Sequence, residues 1–139
     1  MENKQIKIYF AAYKDFNDYG MLKKVLDYML QNKNKDDILF YVSSGEKGDS
    51  TCMKYVMDNG YSFVDWCSNK YGNRAEQKLP FIQDSTHSVL VTDGVSRGIS
   101  IALRYSAKYI KGKIVLIKPL ENSFSVWENG KMIAEKCCH

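Results

Sequence analysis

Short apolar blocks alternate with longer stretches in which apolar residues recur every three to four positions. Ile6, Ile8 and Phe10 lie on one side of an alternating run over Gln5–Ala11, with Tyr9 and Ala11 on the other. That pattern predicts a strand buried on both faces. Leu22, Val25, Leu26 and Met29 follow at i, i+3, i+4 and i+7, one face of an amphipathic helix that Asn17 or Asp18 can cap. Ile38–Val42 predicts a second strand. The helix after it has Cys52, Met53, Val56 and Met57 facing inward, Asp49 or Ser50 as its cap, and Asn59-Gly60 as its stop. Tyr61–Trp66 predicts a short third strand.

Residues 68–84 are the least regular. Tyr71-Gly72-Asn73-Arg74 reads as a loop, and Leu79, Phe81 and Ile82 suggest a short helix with Pro80 in its first turn. Ser88–Thr92 predicts a fourth strand. Ser96 can cap a helix running to about Ile110, with Ile99, Ala102, Leu103, Tyr105 and Tyr109 as candidates for burial. Ile114–Ile117 predicts a fifth strand. Asn129-Gly130 between apolar runs is a hairpin signal, placing a short terminal hairpin at about 123–135. Strands alternating with helices imply an α/β domain: a mainly parallel sheet of about five strands with helices on both faces. The 139 residues suffice for one such domain.

In that architecture the strand-to-helix loops gather at one sheet edge, where ligands bind. Two of these loops are glycine turns. Ile38–Ser43 leads into Ser44-Gly45-Glu46-Lys47-Gly48-Asp49-Ser50, and Val89–Thr92 leads into Asp93-Gly94-Val95-Ser96-Arg97-Gly98. A strand that turns through glycine into a helix can present backbone N–H groups to an anion. The loop after the first strand adds Ala12, Tyr13, Lys14 and Phe16. Four loops thus contribute Lys14, Lys47, Arg74 or Lys70, and Arg97, which predicts a shared anion site. The glycines Gly45, Gly48, Gly94 and Gly98 serve turn geometry, close ligand approach, or both. Ser44 is the best-placed hydroxyl, and Asp93 can accept from a ribose or hold its own turn. Phe16 reads as core and His87 as structural.

The remaining composition narrows the function classes. Twenty Lys and Arg against 16 Asp and Glu give a net charge of +4, which is too mild and scattered for a nucleic-acid binder. No run is long enough to span a bilayer and no leader opens the chain, so a cytoplasmic protein without membrane contact is expected. Cys137-Cys138-His139 lacks the paired spacing of a zinc site, and Cys52 and Cys67 are isolated, so neither metal nor cofactor is expected. No P-loop, nucleophile elbow or zincin motif is present.

At these loops the chain resembles the YspA- and YpsA-related branch of the SLOG superfamily, Rossmann-like relatives of the LOG and DprA proteins. Lys14 and Phe16 stand where that branch has a Gly-Ser-Arg-like turn and Phe. Ser43, Gly45, Lys47 and Gly48 match its Ser-Gly-Gly-Ala-Arg-Gly-Ala-Asp turn. Trp66, Lys70-Tyr71-Gly72-Asn73-Arg74-Ala75 and Asp93-Gly94-Val95-Ser96-Arg97-Gly98 follow in the branch's order. The likeness runs from about Ile6 to Ile117. The Arg-Asn common in the family after the Lys-Tyr-Gly segment is missing, and so is the Pro-Gly-Gly-x-Gly-Thr-x-x-Glu run of the LOG enzymes. The latter argues against phosphoribohydrolase activity.

The resemblance implies a single Rossmann-like three-layer domain over 1–139. It also implies binding of a nucleotide or nucleotide-derived molecule such as an ADP-ribose-like ligand, by a sensor, carrier or sequestering protein of bacterial or phage signalling or defence. Small domains of this kind also pair into homo-oligomers. The alternative is an N-glycosidic-bond enzyme, since Tyr9-Phe10-Ala11-Ala12 faintly resembles the first loop of nucleoside deoxyribosyltransferases; Asp93 would then supply the carboxylate, with Glu46 and Asp49 as weaker candidates. A nucleic-acid accessory role, as in the DprA relatives, is a third class that the modest charge disfavours.

Overall fold

Backbone hydrogen bonding joins seven strands into one sheet in the order β3-β2-β1-β4-β5-β6-β7. The structure is a computed structural model that describes residues 6–44, 47–66 and 74–137, with side chains omitted at 47 and 74–76. The strands are β1 (Ile6–Ala12), β2 (Ile38–Val42), β3 (Ser62–Asp65), β4 (His87–Val91), β5 (Ile114–Lys118), β6 (Ser123–Glu128) and β7 (Lys131–Cys137). The first five are mutually parallel, and β6 and β7 are antiparallel additions. The expected hairpin forms, but it extends the sheet past β5, which raises the strand number from about five to seven.

Four α-helices are described: α1 (Tyr19–Leu30), α2 (Lys47–Asp58), α3 (Arg74–Gln83) and α4 (Arg97–Tyr109). They divide between the two faces of the sheet. Ile8, Phe10 and Ala12 of β1 pack with Leu22, Val25 and Leu26 of α1 and with Tyr55 and Val56 of α2. Tyr9 and Ala11, on the opposite face, pack with Ile82 of α3 and with Ile99 and Ala102 of α4. The period-two alternation of β1 therefore feeds two cores at once. Phe10 and Phe40 are fully buried with ring centroids 5.4 Å apart, each burial contributing about 2 kcal/mol.

The helix ends follow their local chemistry. The Asp18 side chain accepts from the Met21 N–H at 3.1 Å, fixing the start of α1. Gly60 takes φ +73°, with Gly60 N–H donating to Met57 O and Tyr61 N–H to Val56 O, a Schellman stop for α2. Asn129 and Gly130 both have positive φ, as a tight two-residue hairpin requires.

Some expectations are corrected. Met57 is 61% exposed, whereas Tyr55 takes the inward place; its long ring reaches the core and its hydroxyl donates to Asp27. Pro80 lies deep inside α3 rather than in its first turn, so the helix forgoes one backbone hydrogen bond there. Asp49 and Ser50 do not cap α2, because the helix begins at Lys47. Ser106 is fully buried in α4 and donates to buried Ser88 at 3.0 Å.

Tyr41, in β2, donates its hydroxyl to Asp84, which also pairs with Lys7 at 3.2 Å. Burial, then the Asp84 carboxylate, push the Tyr41 phenol up to about 12. Below β4, Gly112 packs so closely that an added Cβ would lie 2.4 Å from Thr86 O and 2.8 Å from His87 Nε2. Among the described residues, no helix is long and apolar enough to cross a membrane.

His87 carries a pH consequence. Burial, followed by the positive charges of Lys113 and Lys33, holds its imidazole below the usual 6.5. The unfolded chain therefore takes up this proton at a higher pH than the folded chain, and stability falls as the pH drops through the unfolded value. Urea unfolding at about pH 7.5 and about pH 5.5 is expected to show lower stability at the acid value, with the difference reduced in His87→Gln.

Candidate functional site

Between β1 and β4 the winding of the sheet reverses: β2 and β3 lie to one side, β4 and β5 to the other. The chain leaves β1 toward the α1 face and leaves β4 toward the α4 face. A crevice opens where the two departures diverge, at the carboxyl ends of the strands. Here it is a cavity of about 440 Å³ whose lining includes Tyr13, Lys14, Trp66, Lys78, Arg97 and Gly98.

Its floor is the end of β1. Tyr13 N–H donates to Val91 O at 3.0 Å, carrying the β1–β4 ladder one residue past the strand. From the other side the first turn of α2 meets the same backbone. An added Cβ on Gly48 would sit 1.8 Å from Tyr13 O, so only glycine permits this approach. One residue on, Asp49 is buried and its carboxylate accepts the Ala12 N–H at 3.1 Å. Gly48 thus serves no positive-φ turn; it lets the helix touch the strand. Asp49, expected as a cap or a weak acid candidate, is a buried backbone acceptor.

The β4–α4 loop forms the opposite wall. Asp93 Oδ1 accepts from Val95 N–H and Ser96 N–H at 3.0 and 2.8 Å, and Oδ2 accepts from the Ser96 hydroxyl at 2.9 Å. Desolvation pushes the Asp93 carboxyl up, but these hydrogen bonds outweigh it and hold it below the ordinary range. Of the two readings open for Asp93, the structure shows the turn-holding one. Ser96 occupies the N-cap position of α4 but makes no side-chain cap bond, because its hydroxyl is turned to Asp93. No described side chain therefore caps the first-turn N–H groups of α4, and these amides stand at the positive end of the helix dipole beside the cavity.

Two residues of the wall are not among the predicted site residues, although Trp66 figures in the family resemblance. Lys78, from α3, is only 8% exposed and its ammonium donates to Gly98 O at 3.2 Å. Trp66 is buried, with its ring 6.3 Å from Tyr9 and 6.0 Å from Phe81. Sequence spacing offers no cue for Lys78, since it precedes α4 by a whole strand and loop. The signal for Trp66 is its place just past a strand end. Tyr13 tilts against buried Phe16 at 5.8 Å; burial, then the Asp93 charge, raise its phenol so that it stays a neutral donor.

The sequence-predicted residues divide. Ala12, Tyr13, Lys14, Ser96, Arg97 and Gly98 line the one cavity. Asp93 and Gly94 face a neighbouring cavity of about 310 Å³ toward Leu116 and Lys118, which Ser96 also borders; Gly94 has φ +86°, a turn requirement. Ser44 points elsewhere: its N–H and hydroxyl donate to Asp65 at 3.2 and 2.6 Å, tying β2 to β3. Gly45, Glu46, Lys70 and the side chains of Lys47 and Arg74 lie outside the described residues, as do Cys67, Cys138, His139 and residues 71–73 of the expected 71–74 loop, whose last residue, Arg74, instead begins α3. The chain matches no protein-family model, no curated protein and no solved structure.

The two glycines separate fold from site. Gly48→Ala is expected to lose about 3 kcal/mol in urea unfolding, since backbone must move to admit the methyl. Gly98 has nothing nearer than the Lys78 Nζ at 3.8 Å, so Gly98→Ala is expected to keep or gain stability by about 0.5 kcal/mol. Asp49→Ala is expected to lose about 2 kcal/mol by stranding the Ala12 N–H, a loss read in the same titration.

Proposed function

We propose that the β1–β4 crevice binds a nucleotide or a nucleotide-derived molecule such as an ADP-ribose-like ligand. The observation that carries the reading is the meeting of Lys14, Lys78 and Arg97 with the side-chain-uncapped N-terminus of α4 around one cavity. Three cations and a row of backbone N–H groups suit a phosphate or diphosphate. The volume suits a small molecule rather than a macromolecule. Tyr13 and Trp66 supply aromatic surface beside the cations, which suits a base or ribose face. On this reading the fold is a Rossmann-like three-layer sandwich extended by a hairpin, with the SLOG resemblance naming the same edge of the sheet.

Turnover of an N-glycosidic bond is the weaker reading. It needs a carboxylate free to attack or protonate. Asp93 and Asp49, the two described candidates, are each held by backbone N–H groups. The chain then acts as a sensor, carrier or sequestering protein, and the resemblance supports a role in bacterial or phage signalling or defence.

Thermal unfolding with AMP, ADP, NAD and ADP-ribose, each at about 1 mM, tests the reading. At least one is expected to raise the melting temperature by mass action. Lys14→Ala and Arg97→Ala are each expected to weaken that ligand about tenfold without lowering the melting temperature of the free protein. No shift with any of the four, together with no nucleotide released from the denatured purified protein, would overturn it.

A further inference from the structure

A cavity of about 610 Å³ lies on the α1 face at the opposite end of the strands. Its origin is topological. After β5 the chain returns as a hairpin instead of crossing over through a helix, so α1 and β7 stand as separate walls above β4, β5 and β6. Ile8, Val89, Val115, Phe124 and Val126 form the floor, each 3 to 5% exposed. Leu26 and Tyr28 rise on one side, Ile133 and Ala134 on the other.

A register shift opposite Val126 and Trp127 builds the second wall. Trp127 pairs with Met132 and Val126 with Ala134, leaving Ile133 as an extra residue in β7. Such a bulge bends its strand and re-aims a side chain. Lys136, further along β7, donates to the Tyr28 hydroxyl and lies 4.4 Å from the centre of that ring, closing hairpin onto helix.

Lys136 lines the cavity on the hairpin side, where it is engaged with Tyr28, and two further cations gather at the other end. Lys33, just past α1, and Lys113, just before β5, both line the cavity. Their fields reach the same imidazole, His87, from two different elements; Glu128 opposes them there more weakly. Neither lysine has a carboxylate partner among the described residues. An apolar trough that ends at two unneutralised ammonium groups is complementary to a molecule with an apolar body and one anionic end.

We propose that this trough is a second binding site, for a free amphipathic carboxylate. The aliphatic chain lies over Val89, Val115 and Phe124, and the head group sits between Lys33 and Lys113. The site shares no lining residue with the β1–β4 crevice, so it stands independently of the nucleotide reading. The hairpin wall gives the chain its enclosure, and half-exposed Ile133 borders it.

Calorimetric titration of the full chain with sodium dodecanoate, below its micelle concentration, tests the proposal. One-to-one binding is expected, with dodecyltrimethylammonium at least tenfold weaker. The surface variant Lys33→Glu/Lys113→Glu, with its melting temperature checked, is expected to weaken dodecanoate about a hundredfold, about tenfold per lysine. Ile133→Asp is expected to weaken it as well. Equal affinity for the cationic and anionic surfactants, undiminished binding by the double variant, or no binding at about 0.1 mM dodecanoate would overturn it.

Discussion

The contact on which the rest of the molecule depends is the docking of the first turn of α2 onto the end of β1. Gly48 lets the helix backbone reach Tyr13 O, and Asp49 receives the Ala12 N–H. The β1–β2 pairing stops at Tyr9 and Tyr41, before the ends of both strands. Beyond it, Ala12 would face a buried gap with an unanswered donor, a cost of about 1 to 3 kcal/mol. The carboxylate answers that donor from a helix, so the two central strands can part while the backbone stays satisfied. The crevice beside β4 exists because the end of β1 is held there.

This arrangement divides labour between the two ends of the sheet. At the carboxyl ends, helix N-termini and cations gather, and the chemistry is polar and electropositive. At the amino ends, Gly112 is pressed against Thr86 and His87, and the replacement of a crossover helix by a hairpin leaves an apolar trough. Both follow from winding. The reversal between β1 and β4 opens one cavity, and the change from parallel to antiparallel after β5 opens the other.

Much of the architecture is legible in the sequence because it is written in local periodicity. The two-faced alternation of β1, the i, i+3, i+4 stripe of α1, the Asp18 cap, the Gly60 stop and the Asn129-Gly130 turn each depend on near neighbours, and each appears where its residues predict. What is not legible depends on partners distant in the chain. Gly48 looks like a loop glycine until Tyr13, 35 positions earlier, is seen against it. Asp49 and Ser44 look like a cap and a ligand hydroxyl until Ala12 and Asp65 claim them. Pro80 misleads because tertiary packing of Ile82 and Phe81 against the sheet outweighs the single lost hydrogen bond. For the candidate site, the loop residues Ala12, Tyr13, Lys14, Ser96, Arg97 and Gly98 are brought to one cavity as their strand ends predict, but Lys78 enters it from an element that spacing alone does not bring near.

The extra residue at Ile133 has an effect on the outside of the molecule too. Among the described residues β7 is the last strand, and its outer ladder of amides and carbonyls has no neighbour in the sheet. A flat border of that kind invites a second chain to add on. The kink at Ile133 breaks the repeat of that ladder, and Lys131, Glu135 and Lys136 lie exposed along it, so an incoming strand would lose hydration from charges while finding its hydrogen bonds out of step. The same irregularity that shapes an interior wall thereby discourages fibrillar stacking at the border.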